Sequence, residues 1–225
     1  MDFTILTWNA RSESAVTAAY LSGAINWVKA NLTNNADIDF IVLQETGITA
    51  NDFTPQIGGN YTIFKMREGR TRGDNYLFAI HNTWTITSQG YVDTDPGEPI
   101  GVVVRPAYKI TVTNGGTTLD LYNFHNAFST NGGSYVCLNV LGTQADNPHT
   151  VVAGDFNLDS ENMNGLFTTF NDANNHYDHI LTSSDITYVS SIVLDSDANG
   201  QPMQFVGGGS VTGSDHCPLF GSYQI

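Results

Sequence analysis

The run Phe40-Ile41-Val42-Leu43 constrains the fold more than any other stretch of the chain. Four consecutive apolar residues without polar alternation read as a strand buried on both faces. A strand from Asp2 to Trp8 precedes it, followed by Val16, Tyr20, Ala24 and Trp27/Val28 at helical spacing. Ser12 or Ser14 can cap that helix, and Asn34-Asn35 ends it. Strand, amphipathic helix and buried strand make a βαβ unit, which needs a parallel strand pair in a sheet covered by helices. Polar residues follow both strands: Asn9 after the first, Gln44-Glu45 after the second. That sheet edge is where such folds hold ligands.

The plan returns in the second half. Thr118–Phe124 reads as a strand that delivers His125, and Ser134 caps a helix reaching to about Thr143. Val151-Val152-Ala153 then reads as the end of a buried strand, with Gly154 allowing a tight turn. Asp155 and Asn157 follow at period 2, facing one way while Phe156 faces the other. A turn in which both bond their own backbone is the bland alternative. A short helix near Asn162–Phe170 and a strand from Tyr177 carrying Asp178 come next. Ser214-Asp215-His216-Cys217-Pro218 leads into a closing strand, Leu219–Ile225. Between the halves, strands are predicted at Tyr61–Met66, Tyr76–Ile80, Thr85–Val92, Ile100–Arg105 and Lys109–Asn114. Asn114-Gly115-Gly116 makes the last of these and Thr118–His125 a hairpin. No repeat of short period and no linker divides the chain, so the expectation is one domain over 1–225. Its class is α/β, with two packed mixed β-sheets flanked by helices in a four-layer α/β sandwich.

Charge narrows the partners. Twenty-two acids against eight bases leave a net charge of −14, with no polybasic patch to hold nucleic acid by counterion release. Lys65, Arg67, Arg70 and Arg72 are four of the eight bases. With Gly69 and Gly73 they read as a mobile hairpin loop, either a solvated charge run or a landing place for an anionic substrate. The two cysteines, Cys137 and Cys217, fall in a predicted helix and a predicted terminal strand and are expected as free thiols. No apolar run reaches membrane-spanning length, so no transmembrane segment is expected. A strand starting at Phe3 leaves no room for a signal peptide, which fits an intracellular protein or the mature form of a secreted one. Low lysine with high asparagine and threonine favours secretion.

Polar residues thus close six strand ends: Asn9, Glu45, His125, Asp155 with Asn157, Asp178, and Asp215-His216. Singly, each has a bland reading as a turn residue, cap or edge charge. Jointly, most strand ends would carry such groups by accident. Thr7-Trp8-Asn9, Gln44-Glu45, Phe124-His125-Asn126, Gly154-Asp155-Phe156-Asn157, Tyr177-Asp178 and Ser214-Asp215-His216-Cys217-Pro218, in that order, resemble the endonuclease/exonuclease/phosphatase superfamily. That group includes deoxyribonuclease I, abasic-site endonucleases, neutral sphingomyelinases and inositol polyphosphate 5-phosphatases. Within it the chain most resembles the catalytic B subunit of cytolethal distending toxins, through Gln44-Glu45-Thr46-Gly47, Pro99-Ile100-Gly101-Val102 and His125-Asn126-Ala127. It departs from that subunit at Gly97-Glu98-Pro99, which lacks the arginine expected before the proline, and at Val104, in an often basic strand. Only Asp74 stands in for the glutamate that orients the first histidine in deoxyribonuclease I.

The resemblance implies a deoxyribonuclease I-like fold and metal-dependent phosphodiester hydrolysis, with DNA as substrate. Asn9, Glu45 and Asp215 are then the metal ligands; all-oxygen donors suit Mg²⁺, with Mn²⁺ or Ca²⁺ as alternatives. His216 is the general base, with Asp178 holding its other nitrogen. His125 assists phosphate and leaving group, and Asp155 and Asn157 hold the phosphate and the attacking water. Arg67, Arg70, Arg72 and Asn126 are expected to bind substrate. A toxin-type enzyme would act with delivery subunits. The competing expectations are a phosphoinositide phosphatase or sphingomyelinase-type hydrolase on the same fold, and an inactive binding subunit.

Overall fold

In a computed structural model, residues 1–10, 37–46, 57–67, 75–92, 105–126, 147–158, 177–193, 216 and 218–225 are described, with the backbone of 171–175. The predicted helices, most of the strand predicted at Ile100–Arg105, Arg70, Arg72, Asp74, Asp215 and both cysteines lie outside the described residues. The described elements are β1 (Asp2–Asn9), β2 (Phe40–Gln44), β3 (Tyr61–Arg67), β4 (Asn75–His81), β5 (Thr85–Tyr91), β6 (Tyr108–Asn114), β7 (Thr117–His125), β8 (Thr150–Asp155), β9 (Asn171–Asn175), β10 (Asp178–Thr182), β11 (Thr187–Val193) and β12 (Leu219–Gln224). They form two six-stranded sheets, one in the order β11-β12-β1-β2-β4-β3, the other β5-β6-β7-β8-β10-β9.

Each sheet is built outward from one parallel pair, β1 with β2 and β7 with β8, and every other pairing is antiparallel. The sheets therefore share one plan, with β1–β2 answering β7–β8. Period 2 puts Phe3 and Ile5 of β1, Phe40 and Val42 of β2, Leu119 and Leu121 of β7, and Val151 and Ala153 of β8 into the common core. Each such side chain contributes about 1.5–3 kcal/mol on burial.

Followed toward the C-terminal ends of the parallel strands, the same inner faces turn polar. The next inward positions are Thr7 and Asn9, Gln44, Asn123 and His125, and Asp155, all buried. A buried amide belt joins the sheets at this level. Gln44 Nε2 donates to Thr7 Oγ1 (3.2 Å) and across the sandwich to Asn123 Oδ1 (2.8 Å). Asn123 Nδ2 returns a hydrogen bond to the Leu43 carbonyl at 3.0 Å. The site stands on this belt.

The structure corrects several sequence expectations. Gly154 does not turn the chain: it lies inside β8 with φ 150°, and a Cβ there would sit 1.8 Å from the Phe124 carbonyl oxygen. Its function is close approach of β8 to β7. β8 ends at Asp155, so Asn157 does not continue a strand period; it holds left-handed backbone (φ 50°). Lys65 and Arg67 belong to β3 and not to a loop, because Phe64 and Met66 beside them alternate onto the core. β9 and β11 were not expected. β11 is a sheet edge, mostly exposed, and a one-sided edge strand shows no apolar run. The hairpin at Gly115-Gly116 is as predicted, with φ 56° and 89° as a type I′ turn requires.

Candidate active site

The last inward positions of both parallel pairs meet in one place. Asn9 Nδ2 on β1 donates to Asp155 Oδ2 on β8 at 2.8 Å, tying the ends of the two sheets. His125, opposite Asp155 in the β7–β8 register, brings Nε2 within 3.5 Å of the same oxygen and within 3.4 Å of Glu45 Oε1. Asp178, also opposite Asp155 but on β10, bonds His216 Nδ1 through Oδ2 at 2.7 Å. His216 Nε2 then lies 3.7 Å from Asp155 Oδ2. Trp8 Nε1 secures the His216 backbone by donating to its carbonyl at 2.8 Å. Asp155 is thus flanked by both histidines.

A carboxylate only accepts, so the bond to Asp178 puts the proton of neutral His216 on Nδ1 and leaves Nε2 as the basic nitrogen. Burial pushes the Asp178 carboxyl up to about 6, against the opposing pull of the His216 hydrogen bond. When ionised, it is placed to stabilise an imidazolium on His216.

Glu45 and Asn157 both hold left-handed backbone, φ 46° and 50°, just beyond the ends of β2 and β8. Such geometry costs a non-glycine residue on the order of 1–3 kcal/mol and concentrates at functional positions. At Asn157 its stabilisation is visible. The Asn157 N–H donates to Asp155 Oδ1 (2.8 Å), and its Nδ2 to the Asn126 carbonyl (2.7 Å). The bland reading of this turn is therefore also true: Asp155 closes the turn with Oδ1 and faces the histidines with Oδ2. Asn126, expected to touch substrate, is 3% exposed and donates through Nδ2 to the Phe156 carbonyl (3.0 Å). It braces this turn from behind. Arg67 stands at the end of β3 opposite Asn75, whose carbonyl accepts from Thr46 N at 3.1 Å. Arg67 therefore stands at the catalytic end of the sandwich, while Arg70 and Arg72 lie outside the described residues.

Sequence reasoning placed Gln44 at this sheet edge but missed Arg105, His179 and Tyr76 as contributors. Arg105 Nη1 lies 3.6 Å from Glu45 Oε1 and 2.8 Å from His125 Nδ1, bringing a permanent cation to the pair. His179 Nε2 bonds the Leu158 carbonyl (2.8 Å) and packs edge-on to Phe156, holding the turn after Asp155. Gln44 belongs to the belt below. Tyr76, fully buried on β4, accepts the His125 backbone N–H at its hydroxyl, 3.0 Å away, across the two sheets. Their signals are pairings across tens of residues, which no local pattern shows. Tyr76→Phe is expected to cost about 1–3 kcal/mol, the penalty of an unsatisfied buried donor, measured by denaturant unfolding.

Among the described residues, the carboxylates of Glu45, Asp155 and Asp178 share this end with His125, His216 and Arg105. Among the described residues, Asp155, Asp178 and His216 each bring a ligand atom within 4.8 Å of the others. Asp178 Oδ1 is buried with no hydrogen-bond partner. An oxygen-rich donor set with an orphaned carboxylate oxygen fits a hard divalent cation, which also offsets the repulsion an anionic substrate would meet.

Similar structures share this architecture. An endonuclease/exonuclease/phosphatase from Bacteroides vulgatus matches with a TM-score of 0.73 at 15% identity, covering 100% of this chain and 99% of that one. TDP2 of D. rerio complexed with single strand DNA product matches with a TM-score of 0.69 at 17% identity, covering 100% and 99%. The mannosyl-6-phosphatase of Bacteroides thetaiotaomicron matches with a TM-score of 0.70 at 14% identity, covering 99% and 100%. At these identities the likeness shows the fold alone. No curated protein sequence matches. The model of the endonuclease/exonuclease/phosphatase family matches residues 6–216, and with the fold and the convergent strand ends it places the chain in that family.

Proposed function

We propose that the chain is a Mg²⁺-dependent phosphodiesterase that cuts DNA internally. The observation that carries this reading is the convergence of His125 and Asp155, at the ends of β7 and β8, with Asp178 at the start of β10 and His216 ahead of β12. In this reading Asn9 and Glu45, with Asp215, hold the cation. When bound, it neutralises charge on the phosphoryl oxygens and the departing oxygen. His216 Nε2 takes a proton from the attacking water, and Asp178 stabilises the imidazolium. Asp155, between the histidines, orients that water and the phosphate. His125 bonds a phosphoryl oxygen and assists the leaving group, and Arg105 beside it adds positive charge where negative charge grows. The water oxygen bonds phosphorus, the P–O bond to the leaving group breaks, and the leaving oxygen ends protonated.

DNA as substrate is supported by the fold shared with a protein seen with a single-stranded DNA product, and by the position of Arg67 at the catalytic end. Neutralising Arg67, Arg70 and Arg72 together should weaken DNA cleavage and flatten its salt dependence by up to about 2–3 in log–log slope. An unchanged slope would leave the segment as a solvated hairpin. A toxin-type enzyme that is secreted and carried by delivery subunits is the finer proposal, supported by the Gln44-Glu45-Thr46-Gly47 likeness. Gln44 and Thr46 are both fully buried, so that motif speaks for architecture before substrate.

The alternative is a phosphomonoesterase or phospholipid hydrolase, favoured by the net charge of −14 and by the fold shared with a mannosyl-6-phosphatase. Plasmid nicking set against phosphate release from inositol lipids and sugar phosphates separates the two. Nicking without phosphate release supports the proposal, and the reverse overturns it.

A further inference from the structure

At the same end of the sandwich, beside the reacting groups, stands an aromatic pair that the proposed reaction does not use. Tyr91 ends β5 and Tyr108 begins β6, directly opposite each other, with ring centroids 4.9 Å apart at 86°. Tyr108 leans inward on Phe78 (6.1 Å), which stacks on Phe64 (5.2 Å, 12°). The Tyr91 hydroxyl crosses to the other sheet and donates to the Arg67 carbonyl at 2.7 Å. Burial and the neighbouring Tyr108 push that hydroxyl above the ordinary phenol range, so the ring stays a neutral donor. Tyr91 is therefore held by its strand, a perpendicular ring and a hydrogen bond, yet it is 50% exposed. An aromatic face that is both fixed and exposed has already lost the side-chain freedom that binding would otherwise cost.

Its position follows from the strand register. Tyr108 lies opposite Asn123, two residues before His125 on β7. With strands about 4.8 Å apart and a rise of about 3.3 Å per residue, Tyr91 is roughly 12 Å from His125. A nucleotide step is about 3.4 Å in a stacked duplex and longer in an extended strand. The ring thus reaches a base two to three nucleotides from the phosphate at the histidines. In a duplex that base is paired and stacked; in an unpaired segment its face is available. Arg67, exposed at the end of β3 and bonded through its carbonyl to Tyr91, supplies positive charge beside that ring.

We propose that Tyr91, backed by Tyr108, is a stacking subsite for an unpaired nucleobase two to three nucleotides from the scissile phosphate. The subsite rests on the phosphodiesterase reading above and adds a preference for unpaired over paired DNA. A single-stranded oligonucleotide carrying one abasic residue, moved along its length, tests it. Wild-type cleavage should fall about 5- to 150-fold at bonds two to three nucleotides from the gap, the range for one base–aromatic stack. Tyr91→Leu, which keeps apolar bulk at the rim, should erase that position dependence. It should also lower kcat/KM on the intact oligonucleotide far more than on bis(p-nitrophenyl) phosphate; Tyr91→Phe should retain the dependence. Cleavage by wild type that ignores the gap, or a dependence surviving Tyr91→Leu, would overturn the subsite and leave the phosphodiesterase reading standing. A wild-type protein that cuts no oligonucleotide but releases phosphate from monoesters would overturn both.

Discussion

His216→Ala should lower phosphodiesterase turnover by about 10²–10⁴-fold, and should also cost about 1–3 kcal/mol of stability by leaving the buried Asp178 carboxylate unpaired. Among the described residues His216 is placed to act as base: its Nδ1 is committed to Asp178 at 2.7 Å, and its Nε2 lies 3.7 Å from the shared oxygen of Asp155. Truncation removes that base and strands Asp178, whose Oδ1 already has no partner. Asp178→Asn should lose up to about 10⁴-fold as well, because its amide can donate to His216 Nδ1 and leave the proton on Nε2, where the base is needed. The check is steady-state kinetics on a diester, with near-UV circular dichroism to confirm the fold. Turnover of His216→Ala near the wild-type level would remove His216 from the base role.

The second large effect is expected at Gly154. Alanine there would drive Cβ to 1.8 Å from the Phe124 oxygen and 2.8 Å from its carbonyl carbon, on a backbone with φ 150°. Overpacking and backbone strain together should cost on the order of 3–5 kcal/mol, read by urea unfolding. Gly58→Ala is the control: its φ is 88°, but nothing lies within 4 Å of the added carbon. That change should cost about 1 kcal/mol. Because β7 and β8 carry His125 and Asp155 in register, the part of the Gly154→Ala population that stays folded should also be slow. Equal unfolding costs for the two variants would contradict the close-approach account.

The contrast between these residues shows what local sequence can and cannot report. His125 and Asp155 were legible because each closes an apolar strand with a polar group at its last position, and Asp178 and His216 because each stands just ahead of one, a signal within about eight residues. The central strands were legible for the same reason: burial on both faces removes alternation from β2 and β8, and continuous apolar runs are easily seen. Edges carry no such mark. β11 keeps Tyr188, Val189 and Ile192 exposed and alternates on neither face. Gly154 was read as a turn because glycine serves turns and close approaches alike, and the choice rests on Phe124, thirty residues away. Asn123 with Gln44, Tyr76 with His125 and Arg105 with Glu45 are contacts across the sandwich or between distant segments. They exist only once two sheets are stacked, so the belt beneath the site and the cation beside it were out of reach of periodicity.

The account's central claim is that these strand ends form a metal-assisted phosphodiesterase centre. Nicking of supercoiled plasmid, with Mg²⁺ and with a chelator, by the wild-type chain and by His125→Ala and His216→Ala, tests it most directly. Nicking by the wild type that needs Mg²⁺ and falls at least a hundredfold in both variants is the predicted result. Nicking that persists in the chelator or in both variants, or no nicking by the wild type under any condition, would contradict it.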